Sequence, residues 1–169
     1  LATATAAASA ALEFKAPGAV IDATYNTYLF IYDLIAPASD GTIFVMRTST
    51  DGGVSYSSTA LDYQSSLSDN GGAGATTTTE MSVSPSVGNG AQETMSGQTI
   101  MVNPSSAAYT STYTIGGSRS PNPGLGLLTS YHGTGMRHAA ADVDAVQFLF
   151  KSGNVATGTI KMYGMTTPT

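Results

Sequence analysis

The chain has 169 residues, of which only 10% are charged, with a net charge of −5, no Cys and no Trp. An ordinary globular domain carries roughly a quarter of charged residues, so titratable groups are too sparse here to favour catalysis, which needs several held together. The six basic residues, Lys15, Arg47, Arg119, Arg137, Lys151 and Lys161, form no stripe able to neutralise a run of phosphates, which argues against nucleic acid as a partner.

A hydrophobic content of 41% with so little charge excludes intrinsic disorder and suits one packed domain. Without Cys the fold needs no disulfide and fits any redox compartment. The first residues, rich in Ala and Thr and lacking a basic segment, are neither a signal peptide nor long enough to span a bilayer, so no membrane anchor is expected. Residues 1–8 are read as an extended N-terminal arm, and the opening Leu1 in place of Met suggests a processed or truncated product.

Along the chain, apolar residues recur with period two, punctuated by Gly, Asn, Asp and Pro. Ala10, Leu12 and Phe14 share one face of a first strand with Glu13 opposite, ended by Pro17-Gly18 because Pro lacks a ladder donor. Residues 27–35 are apolar on both faces and predict a central strand covered on both sides. Phe44, Met46 and Thr48 then alternate with Ile43, Val45 and Arg47. Asp51-Gly52-Gly53, followed by Val54-Ser55-Tyr56, is the strongest hairpin signal, since Asp-Gly supplies the positive φ of a primed turn.

Residues 64–75 read as a loop, and residues 76–79 with Met81 and Val83 as the next strand. Asn89-Gly90 turns the chain into a strand over 93–102. Tyr109, Ser111, Tyr113 and Ile115 line one face of a further strand, and the Gly- and Pro-rich residues 116–126 predict a long surface loop. Last, Val146, Phe148 and Phe150 face one way, and Gly153-Asn154 turns the chain. Ile160 and Met162 return opposite Lys161 and Tyr163, which predicts a closing hairpin. Phe30, Phe44, Phe148, Phe150, Ile160 and Met162 are the predicted core. With no amphipathic helical window, about eight to ten antiparallel strands predict a single jelly-roll-like β-sandwich over residues 1–169.

Candidate chemistry is thin. Asp142 and Asp144 would share a face on one strand, but two carboxylates without a third do not collect the six to eight oxygens of a Ca²⁺ site. His132 and His138 have neither the spacing nor the neighbouring ligands of a zinc site. No Gly-x-Ser-x-Gly elbow occurs, and Gly124-Leu125-Gly126 lacks the strand-to-helix setting of a dinucleotide loop. No catalytic residue, metal ligand or cofactor is therefore assigned, and Asp51, Gly52, Gly53, Asn89, Gly90, Gly153 and Asn154 are read as turn residues. Nine Tyr leave one surface option, a glycan- or protein-binding face presented by loops 64–75 and 116–126. The competing reading places Tyr28, Tyr32 and Tyr63 inside the sandwich.

Two segments carry a resemblance. Residues 37–41, Pro-Ala-Ser-Asp-Gly, lead through Met46 into Arg47-Thr48-Ser49-Thr50-Asp51-Gly52-Gly53, and residues 148–164 include Ser152-Gly153-Asn154, Ala156, Gly158-Thr159-Ile160 and Tyr163-Gly164. Together they resemble small β-rich virion proteins and fibre-terminal domains of tailed bacteriophages. The resemblance implies a virion structural part assembled in the host cytoplasm, homo-oligomeric and often trimeric. Its partners would be copies of itself and other virion proteins such as the major capsid or tail proteins, with a host-surface glycan as a further option and no catalytic residues to carry over. The small size favours a capsid decoration or cement protein over a tail fibre or spike. The alternative classes are a carbohydrate-binding, host-receptor module, and a depolymerase that would need two carboxylates about 5 to 9.5 Å apart in a cleft.

Overall fold

The computed structural model describes residues 2–18, 21–69, 72–105, 108–119 and 128–166, and among them every regular element is a β-strand. There are twelve: β1 (Ala2–Thr5), β2 (Leu12–Phe14), β3 (Thr27–Pro37), β4 (Thr42–Ser49), β5 (Tyr63–Asp69), β6 (Gly72–Thr78), β7 (Met81–Val87), β8 (Met95–Val102), β9 (Ser111–Arg119), β10 (Leu128–Arg137), β11 (Ala145–Phe150) and β12 (Val155–Met165). Eight form one sheet in the order β1-β12-β3-β8-β9-β10-β5-β6, and four form another in the order β2-β11-β4-β7. Every pairing is antiparallel. The chain is an all-β sandwich.

Alternation creates the core between the sheets. On the four-stranded side Leu12, Phe14, Phe44, Met46, Val146, Phe148 and Phe150 point inward; on the other side Tyr28, Phe30, Tyr32, Ile160 and Met162 meet them. Phe148 lies at the centre, with ring centroids 5.1 Å from Phe30, 5.5 Å from Tyr32, 6.0 Å from Phe44 and 6.3 Å from Phe14. Such offset and edge contacts suit the ring quadrupoles. Polar ties join the sheets as well: the buried Tyr63 hydroxyl on β5 accepts the Thr48 N–H of β4 at 2.8 Å, and the Ser82 N–H of β7 reaches Ser65 Oγ of β5 at 3.3 Å.

Several segments depart from the sequence expectation, each for a physical reason. Gly52 and Gly53 have φ of +72° and +80° and Gly153 has +72°, so the reversals are real. Neither makes a hairpin. β4 pairs with β11 and β7, not with residues 54–56, and β11 and β12 lie in different sheets. Turn chemistry specifies a reversal, but it does not specify which strand receives the hydrogen bonds, and here both reversals are corners between sheets.

Asn89 and Gly90 likewise lie on a crossing, from β7 in one sheet to β8 in the other. There Asn89 donates its side-chain amide to the Ala38 carbonyl at 3.2 Å, and the Gly90 N–H meets Glu93 Oε2 at 2.9 Å. Asn154 fastens the other corner by donating from Nδ2 to the Ala8 carbonyl at 2.8 Å.

Residues 64–75, expected as a loop, mostly belong to the β5–β6 pair, and residues 116–119 of the other expected loop complete β9; residues 120–127 lie outside the described ones. Strands built of Ser, Thr and Gly escape an apolar-period reading because only Tyr63, Ser65 and Leu67 of β5 turn inward, and one of those three is polar. β10 and β1 add to the strand count for the same reason, and Ala2–Thr5 of the expected arm is docked as an edge strand on β12.

The Asp51 corner is tightly held. Its carboxylate accepts the Ser55 hydroxyl at 2.6 Å, the Ser55 N–H at 2.9 Å and the Ser49 hydroxyl at 2.7 Å. Those bonds, led by Ser55, hold its pKa down to about 2. A depressed carboxylate pKa stabilises the folded state fully above the unfolded value of roughly 4, and that contribution disappears as pH falls towards the folded value. Asp51→Asn is expected to flatten the pH dependence of the melting temperature below about pH 4 while leaving its form at neutral pH unchanged, as read by circular dichroism melts. An identical acid profile in the variant would show that the corner does not couple to folding.

Candidate functional site

The widest organised surface is the outer face of the eight-stranded sheet, and strand registers define its rows. In one row Lys161, Ile31, Gln98, Ile115, His132 and Ser68 stand opposite one another across β12, β3, β8, β9, β10 and β5. The next row is Tyr163, Leu29, Ile100, Tyr113, Thr134 and Ser66. A third is Met165, Thr27, Val102, Ser111, Met136 and Gln64.

These rows change character at β9. From β12 to β9 they are dominated by branched aliphatic and Tyr side chains, and Ile31, Tyr113, Ile115 and Tyr163 are 37%, 55%, 57% and 42% exposed. On β10 and β5 they turn to Ser, Thr, His and Gln, with Met136 the one apolar member. β3 shows the contrast most directly: Tyr28, Phe30, Tyr32 and Ile35 are buried, whereas Ile31 and Leu34 on its other side are exposed. The expected two-sided cover of residues 27–35 is therefore corrected to one-sided cover within the single chain.

Two adjoining depressions of about 390 Å³ and 460 Å³ lie over the hydroxyl-rich half, sharing Ser66, Tyr113 and Thr134. Gln64, Ser111 and Met136 line one, and Ser68 and His132 the other. Neither is lined by Asp, Glu, Lys or Arg.

The Asp, Glu, Lys and Arg side chains lie outside these depressions. On the four-stranded sheet Glu80 pairs with Arg47 Nη2 at 3.1 Å and Lys151 Nζ at 3.0 Å. Burial pushes the Glu80 carboxyl up, but hydrogen bonds from Thr79, Lys151 and Arg47 outweigh it and leave the group below the usual carboxylate range. Asp144 and Asp142 precede β11, where Asp144 Oδ2 accepts the Gly52 N–H at 2.9 Å and Asp142 is exposed. Both His are apart: His138 Nδ1 lies 2.9 Å from the Leu61 carbonyl, and His132 is on the sheet's outer face. Among the described residues no three His, Cys, Asp or Glu side chains are grouped to hold a metal ion.

Most Tyr side chains lie either inside the sandwich or on its surface. Tyr28, Tyr32, Tyr63 and Tyr131 are buried, and burial raises the Tyr32 and Tyr63 hydroxyls above their ordinary range. Tyr113 and Tyr163 stand on the outer face. Sequence reasoning missed Thr134 and Ser66, which lie in segments with no apolar alternation to mark them as strands.

Comparison with models of protein families, with curated proteins and with solved structures finds no match to this chain.

Proposed function

We propose that the chain is a non-enzymatic structural protein of a bacteriophage particle, a capsid decoration protein ahead of a tail-fibre or spike component. It assembles as a homo-oligomer, a trimer by the resemblance of its two corner segments, through the apolar half of the eight-stranded sheet. The observation that carries this reading is β3, whose sequence is apolar on both faces while the chain itself covers only one.

The dimensions are consistent with it. Three strands, β12, β3 and β8, about 4.8 Å apart and three rows about 6.7 Å apart make a mainly apolar field of roughly 300 Å², with Tyr113 on β9 outside it. That is the core of an interface burying roughly 800 Å² per partner, in which the fully buried centre is apolar and the rim polar. A low-charge surface also suits this assignment, since exposed ion pairs contribute little to holding copies together.

Sedimentation is the direct test. The chain is expected to sediment as an oligomer, and Ile31→Asp, which places a charge in the contact without touching the core, is expected to release monomers with an unchanged circular dichroism spectrum. A wild-type chain that stays monomeric, or a particle map lacking it, would end the reading.

A further inference from the structure

We infer that the hydroxyl-rich half of the same face binds a neutral oligosaccharide, seated in the two joined depressions across β9, β10 and β5 with Tyr113 as its stacking wall. The inference goes beyond the preceding reading and does not depend on it.

Shape is the first argument. The depressions share Ser66, Tyr113 and Thr134, which stand directly opposite one another across the three strands, so the two make one elongated site. Their separate volumes of about 390 Å³ and 460 Å³ each fall in the range of small-molecule sites, roughly 300 to 1,000 Å³.

Chemistry narrows the ligand. The lining offers the hydroxyls of Ser66, Ser68 and Thr134, the Gln64 amide and the His132 ring, and a hydroxyl both donates and accepts a hydrogen bond. Such a lining matches a ligand that is itself dense in hydroxyls. A phosphorylated or carboxylated ligand would call for Arg or Lys, and a nucleic-acid strand for a positive groove; the lining has neither. An extended peptide docks on an unpaired strand edge, whereas β9, β10 and β5 are each hydrogen-bonded on both sides. Tyr113, 55% exposed beside these small residues, supplies an apolar face with a polar tip. Because the site stands on three paired strands, little ordering cost accompanies binding.

Saturation-transfer NMR observed on the sugar tests the proposal, with maltohexaose, cellohexaose, mannohexaose and chitohexaose as probes against the whole chain. At least one probe is expected to show saturable transfer. Tyr113→Ala is expected to weaken it about tenfold, the equivalent of about 1.4 kcal/mol. Thr134→Val, which removes one hydroxyl at nearly constant volume, should weaken it less, and Tyr109→Ala, an exposed Tyr outside the depressions, should not change it. No transfer from any of the four sugars, or undiminished binding by a folded Tyr113→Ala, overturns the inference. Transfer is read whatever the size of the assembly. A monomer that binds sugar therefore leaves this inference standing and ends the assembly proposal, and an oligomer that binds none does the reverse.

Discussion

Phe148→Ala is expected to lower folding stability by roughly 3 to 5 kcal/mol. Phe148 is fully buried, and its ring touches those of Phe14, Phe30, Tyr32 and Phe44, which come from three different strands across both sheets. Truncation therefore removes the transfer free energy of one ring and opens a cavity whose walls are themselves held by strand pairing, so they relax little. Phe150→Ala should fall at the lower end of the same range, because its ring meets only that of Phe44, with centroids 4.8 Å apart. Guanidinium unfolding of both variants checks the order. A loss below about 1 kcal/mol for Phe148 would mean that the two sheets do not meet through this ring, since buried Phe truncations cost several times that.

The residues that build this core announce themselves in the sequence. Phe44, Met46, Val146, Phe148 and Phe150 sit at period-two spacing with little competing signal, because a strand that buries one face must place large apolar groups on alternate positions. β5 and β10 are different. Leu128–Arg137 contains two Gly, three hydroxyl residues and two Tyr or His among ten positions, so no hydrophobic alternation marks it. It becomes a strand because β9 and β5 offer it partners on either side. Local composition carries no record of those long-range pairings, and the same limit explains the two corners: Asp51-Gly52-Gly53 states where the chain turns, whereas the strand order is settled by which faces pack.

The candidate site was legible in part. Apolar residues on both faces of 27–35 pointed to two-sided burial, and the structure shows that one of those faces is left to the outside of the molecule. The glycan-binding face was expected from loops 64–75 and 116–126, yet the depressions are built on paired strands, by Tyr113, whose segment already read as a strand, and by the hydroxyls beside it. That relocation changes the physics of binding. A rigid ladder fixes Tyr113, Thr134 and Ser66 in register before any ligand arrives, whereas loops would have to be ordered by it.

Gly158→Ala is expected to cost roughly 2 to 6 kcal/mol, from about 1 to 3 for backbone strain and about 1 to 3 for overpacking. Gly158 has φ of +115° at the point where β12 slips register against β3. A Cβ there would stand 2.6 Å from Ile35 Cα and 2.7 Å from the Leu34 carbonyl oxygen, and backbone atoms, unlike side chains, cannot swing aside. Leu34, at φ of +51°, is the irregular residue opposite, and its N–H is taken by Ser96 Oγ at 3.1 Å. The two strands thus share one kink, which breaks the regular pairing of β3 and leaves Leu34 59% exposed. Gly52→Ala provides the internal comparison, since Gly52 also has positive φ but nothing within 4 Å of its would-be Cβ, so only strain of about 1 to 2 kcal/mol applies. Chemical denaturation should therefore separate the two variants. Equal losses would show that contact with β3 contributes nothing and that φ alone selects glycine at both sites.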